Sequence, residues 1–74
     1  MRMNTAEYEF SHGHKPRGNG YWGFELTFTD GNGRYSTETA WAHGTPSQAR
    51  AAAWQQVRRT VGGAKTLVEC KVLP

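Results

Sequence analysis

Residues 21–29 constrain this chain more than any other segment. Trp22, Phe24, Leu26 and Phe28 alternate without a break with Gly23, Glu25 and Thr27. A period of two over that length is the pattern of a half-buried strand, and its large side chains on one face need a second layer to cover them. Asp30-Gly31-Asn32-Gly33 follows as a turn, because Asn and Gly tolerate positive φ. The chain then returns as a second strand over residues 34–42. Its aromatic and β-branched residues make Tyr35, Thr37, Thr39 and Trp41 the expected inward set, with Arg34, Ser36, Glu38 and Ala40 outside.

His43-Gly44 interrupts that strand, and Thr45-Pro46-Ser47-Gln48 starts a helix: Thr as N-cap, Pro at the first helical position, and Gln placed to complete a capping box. Over residues 45–61, Ala49, Ala52, Ala53, Val57 and Val61 form a stripe of small residues with Trp54 at its border. Gln48, Gln55, Arg58 and Arg59 are expected towards water, and Gly62-Gly63 ends the helix. Residues 66–73 alternate Val68, Cys70 and Val72 with Glu69 and Lys71, which predicts a last strand with one buried face. At the other terminus, residues 5–11 place Ala6, Tyr8 and Phe10 against Glu7 and Glu9, a pattern that predicts a first strand. Residues 12–20, rich in glycine and basic side chains, are expected to be a basic flexible loop. The expected architecture is α+β: a two-layer antiparallel sheet with one helix on one face, in the order β-β-β-α-β, as a single domain over residues 1–74.

Size and composition exclude several functional classes. A chain of 74 residues buries only about 60% of its unfolded surface and supports one modest core, so a strained catalytic pocket is not expected. Nine Lys and Arg against six Asp and Glu, a net charge of +3, suit phosphate or acidic partners without demanding either. A lone Cys70 cannot form an intramolecular disulfide, and no apolar run approaches a membrane span or a signal peptide, so a cytoplasmic location is expected. Catalysis needs a nucleophile beside a base or paired carboxylates in a cleft, and the sequence pairs no such groups. Cys70 is expected to be a buried thiol, and His12 with His14 supplies only two of the ligands a metal site requires. No catalytic residue, cofactor or metal is expected.

What remains is a polarity of charge. The helix carries Arg50, Arg58 and Arg59 and no carboxylate, whereas Glu7, Glu9, Glu25, Glu38 and Glu69 all fall in segments expected to be strand. If those glutamates share the open sheet face, that face is an acidic candidate surface for a protein partner, with Tyr21 as an aromatic anchor. The alternative is nucleic acid, bound by Lys15 and Arg17 on the loop and by Arg58 and Arg59 on the helix, with Tyr21 and Trp22 available for stacking.

Two family resemblances bear on the choice. The aromatic strand, the Asp-Gly-Asn-Gly turn, the return strand and Thr-Pro-Ser-Gln-Ala-Arg-Ala-Ala-Ala together resemble the arm-binding or AP2-like domains of phage integrases. That likeness covers about half the chain and implies a sheet laid in the DNA major groove. The expected glutamate face opposes such docking. The small size, the absence of catalytic residues and the strand–helix–strand unit with its Ser-Gln-Ala helix start are similar to small phage counter-defence proteins of the anti-CRISPR kind. This likeness implies a non-enzymatic inhibitor docked on a protein complex that handles nucleic acid, and it is the expectation favoured by the acidic face.

Overall fold

The computed structural model describes residues 3–62 and 65–74. Its elements run β1 (Met3–Asn4), α1 (Ala6–His12), β2 (Gly20–Thr29), β3 (Tyr35–Gly44), α2 (Pro46–Val61) and β4 (Thr66–Val72). They form an α+β fold with a four-stranded sheet in the order β1-β4-β2-β3. β2 pairs antiparallel with both β3 and β4, while the two-residue β1 runs parallel to β4, so the sheet is mixed and not wholly antiparallel.

The alternating segment occupies the interior of the sheet, with Trp22 and Phe28 nearly buried and Phe24 and Leu26 fully so. α2 covers this face. Thr45 caps it as expected: its hydroxyl accepts from the Gln48 amide (3.3 Å) and the Gln48 side chain accepts from the Thr45 amide (3.1 Å). Ala49, Ala53 and Val57 are buried against the sheet, and Trp54 packs on Phe28 with ring centroids 5.7 Å apart. Ala52 lies on the exposed side of the stripe. Gly62 takes the left-handed φ of 65° that ends the helix; Gly63 lies outside the described residues.

The expected order β-β-β-α-β with one helix is corrected to β-α-β-β-α-β with two, and further expectations change with it. The segment expected as a first strand, residues 5–11, falls in α1 (Ala6–His12) with Thr5 at its N-cap position, because helical termini are supplied at both ends. Asn4 Oδ1 accepts the Ala6 amide (3.1 Å), and Gly13 closes the last turn with φ 76° and an N–H donated to the Glu9 carbonyl. Glu7 and Glu9 sit in the first turn, where the helix dipole favours carboxylates. The loop is correspondingly shorter than 12–20, since His12 is helical and Gly20 belongs to β2.

The inward set of β3 is the opposite parity. Ala40 and Ala42 are buried, whereas Tyr35 and Trp41 are exposed. The reason is steric: α2 presents alanines to β3, and alanines opposite them let helix and strand approach closely, where a Trp ring would not fit.

Finally, β4 does not alternate strictly. Thr27 faces Glu69 but the next residue, Phe28, faces Leu67, so β4 carries one extra residue at Val68. This bulge turns Val68 outward and lets Leu67 pack on the core in its place.

Candidate functional site

The sheet face away from α2 carries the odd residues of β2 and β3. Opposite strands pair Tyr21 with His43 and Gly23 with Trp41. Trp41 lies flat over Gly23: a Cβ added there would meet three ring atoms at 2.5–2.7 Å. Glycine is therefore the residue that allows the indole to rest on the sheet. Tyr21 stacks beside it, with ring centroids 5.5 Å apart and planes inclined by 20°, and His43 sits 4.5 Å from Tyr21 on the other side. Tyr21 is 60% and Trp41 43% exposed. The result is a contiguous, solvent-facing aromatic patch at the end of the sheet where β2 begins and β3 ends. Beside it, the Trp22 indole donates to the Gly44 carbonyl (2.9 Å), which ties the two strand ends together beneath the patch.

α1 packs against the same end. Tyr8, its one buried residue, stacks on His12 (centroids 4.1 Å, planes 15° apart) and tilts against Trp22 at 5.4 Å. The chain from His12 to Gly20 carries Lys15 and Arg17, and both its ends are anchored here. Lys15 and Arg17 are exposed on the loop that leads into β2. The second half of α2 also returns to the patch: Gln56 donates to the Trp41 carbonyl, and Gln56, Val57 and Thr60 line a groove together with Tyr21 and Trp41. Arg58 and Arg59 are exposed residues of that same stretch of helix.

The acidic face expected from the sequence is assembled only in part. Glu25 and Glu69 lie on the open face, and Glu7, on α1, meets it through Lys71. Glu9 is on α1, and Glu38 shares the parity of Ala40 and Ala42 and lines a groove with Tyr21, Trp41, Gln56 and Thr60. Glu25 is partly neutralised there: Lys71 Nζ lies 3.5 Å from Glu25 and 2.7 Å from Glu7. The hydrogen bond to Glu7 holds the Lys71 ammonium above its usual pKa. Glu9 accepts the Thr5 hydroxyl. Three of the five carboxylates are thereby engaged within the chain.

The free edge of β3 is blunted where Gln56 Nε2 donates to the Trp41 carbonyl (3.3 Å), occupying one of the acceptors an added strand would need. Among the described residues no three His, Cys, Asp or Glu side chains come together as a metal-binding set, and no helix is long and apolar enough to cross a membrane. Burial pushes the Cys70 thiol up to about 11, against a smaller opposing pull from Arg50. At pH 8 roughly one molecule in a thousand then carries the reactive thiolate. Cys70 is accordingly expected to resist alkylation in the native protein and to react at the rate of a free thiol once denaturant unfolds it; fast native labelling would contradict its place in the core.

Trp41 is the functional candidate that periodicity alone conceals, since its strand's own pattern assigns it inward. The signal that finds it is Gly23, a glycine inside an otherwise bulky strand, once the hairpin register sets the two opposite one another. No family model, curated protein or solved structure matches the chain.

Proposed function

We propose that this protein is a non-enzymatic binding module that lays a nucleic-acid single strand across its open sheet face. Tyr21, Trp41 and His43 are the stacking surface, and Lys15 and Arg17 hold phosphates beside it. The observation that carries this reading is the patch itself: three neighbouring rings held on a flat sheet, with one indole seated on a glycine. Stacking on exposed aromatics is tolerant of sequence, because every base has a π-face, and it needs a flanking cationic segment for the backbone. Lys71 pairs with Glu7 and Glu25 and so lessens the negative charge on this face, while Glu38 lines the groove beside Tyr21 and Trp41.

The test is salt-dependent binding of oligothymidylate. The protein is expected to bind an eight-residue strand (dT8) at about 50 mM salt, with affinity falling as salt rises. Each phosphate of a single strand that a cation neutralises adds about 0.7 to the slope of log K against log salt. Replacing Lys15 and Arg17 together with Ala is therefore expected to make that slope shallower by about 1.4. No binding at low salt overturns the proposal.

A protein partner is the second reading, and Phe10 favours it. This ring, on α1, is 93% exposed, a large apolar side chain that none of the described residues covers. A complex recovered from the host and abolished by Phe10→Ala, with dT8 binding absent, would select docking on a protein that handles nucleic acid.

A further inference from the structure

Between α1, the first residues of β2 and the end of the chain at Leu73–Pro74 lies a cleft of about 260 Å³. Its side walls are aromatic: Tyr8 and His12 from α1, Tyr21, Trp22 and Trp41 from the sheet. Gly20 and Gly23 also line it, each against an indole of the chain itself: Gly20 beside Trp22 and Gly23 under Trp41. Two of its walls, Tyr21 and Trp41, are also rings of the open patch. Cleft and patch are therefore one continuous surface.

We infer that this cleft holds one unpaired nucleotide of the bound strand, its base between the α1 rings and Tyr21 and its phosphate towards Lys15 and Arg17. This rests on the single-strand reading above and adds to it a defined subsite. Three observations select this occupant. The volume sits just below the roughly 300 Å³ at which small-ligand pockets begin, which fits one planar base and not a folded peptide segment. The lining is aromatic on both the α1 side and the sheet side, and stacking is the interaction by which bases are held without sequence readout. The charge is complementary: from Ser11 to Phe24 the chain holds Lys15, Arg17, His12 and His14 and no carboxylate. Of the carboxylates on α1, Glu7 is paired with Lys71, and Glu9 accepts the neutral Thr5 hydroxyl and keeps its charge. The cationic side of the cleft is therefore the loop that leads into β2.

The experiment compares two probes, uridine 5′-monophosphate and dT8, by nuclear magnetic resonance of the aromatic side chains. The wild-type protein is expected to show shifted Tyr8 and His12 ring signals with both. His12→Ala, an exposed position, is expected to keep the fold, to weaken dT8 by about fivefold to tenfold, and to abolish the shifts caused by the mononucleotide. If dT8 binds and moves Tyr21 and Trp41 while the Tyr8 and His12 signals stay still and His12→Ala keeps wild-type affinity, the subsite is overturned and the single-strand reading stands. If the mononucleotide moves the cleft signals but dT8 does not bind, the cleft stands as a nucleotide site and the single-strand reading falls. If neither probe shifts a signal, both fall.

Discussion

Phe24→Ala is expected to cost about 3–5 kcal/mol of stability, the range for truncating a fully buried aromatic side chain. Phe24 is inaccessible to solvent at the middle of β2, paired with Ala40 on one side and Val72 on the other. Few atoms are placed to refill the space, since Ala40, Ala42, Ala49 and Ala53 are the small residues of this core. A chain of 74 residues has about 4–11 kcal/mol in total. The urea midpoint should therefore fall by about a quarter or more with the slope of unfolding unchanged. Val68→Ala is the informative companion. Strict alternation along β4 would bury Val68 and make that substitution costly, whereas the bulge exposes it and predicts a change within about 0.5 kcal/mol. A large loss at Val68 together with a small one at Phe24 would contradict both the register of β4 and the location of the core.

The difference between those two positions also marks how far the fold is legible in the residues. β2 and α2 can be read directly, because each carries a local signal no neighbour overrides: four bulky residues in strict alternation, and a complete capping box. The rest is decided by partners distant in sequence. Seven residues around Tyr8 and Phe10 fit a period of two as well as a single helical surface, and the choice is made by Asn4 and Gly13 at the ends and by Tyr8 finding Trp22. On β3 the aromatic residues look like the buried set until α2 arrives with alanines, at which point Ala40 and Ala42 fit and Trp41 does not. The same reversal hid the binding surface. Tyr21 is exposed as its position before the alternating run suggests, but the ring beside it belongs to a strand whose parity is fixed by a helix that comes later in the chain. The glutamates follow suit: their shared face depended on a strand at Glu7 and Glu9 and on the wrong parity at Glu38.

Gly23→Ala is expected to weaken dT8 nearly as much as Trp41→Ala, although it removes no aromatic side chain. Its new methyl carbon would stand 2.5–2.7 Å from three atoms of the Trp41 six-membered ring, closer than carbon atoms can approach, so the indole must leave the sheet. Trp41 lies on the open face with solvent above it and can swing away without disturbing the core. Alanine is also better tolerated than glycine inside a strand by about 0.5–1 kcal/mol, which offsets the packing of the displaced ring and should leave the unfolding midpoint close to that of the wild type. The cost falls on the patch, because a displaced indole no longer continues the plane of Tyr21. Each stacked base is worth about 1–3 kcal/mol, so removing one predicts a drop in affinity of about 5- to 150-fold for either variant, and a larger one when Tyr21→Ala is added. Trp41→Phe, which fits over Gly23, is expected to retain most of the binding. An affinity that survives both Gly23→Ala and Trp41→Ala, in folded protein, would mean that the strand does not stack on this face and that the seated indole serves only to cover the glycine beneath it.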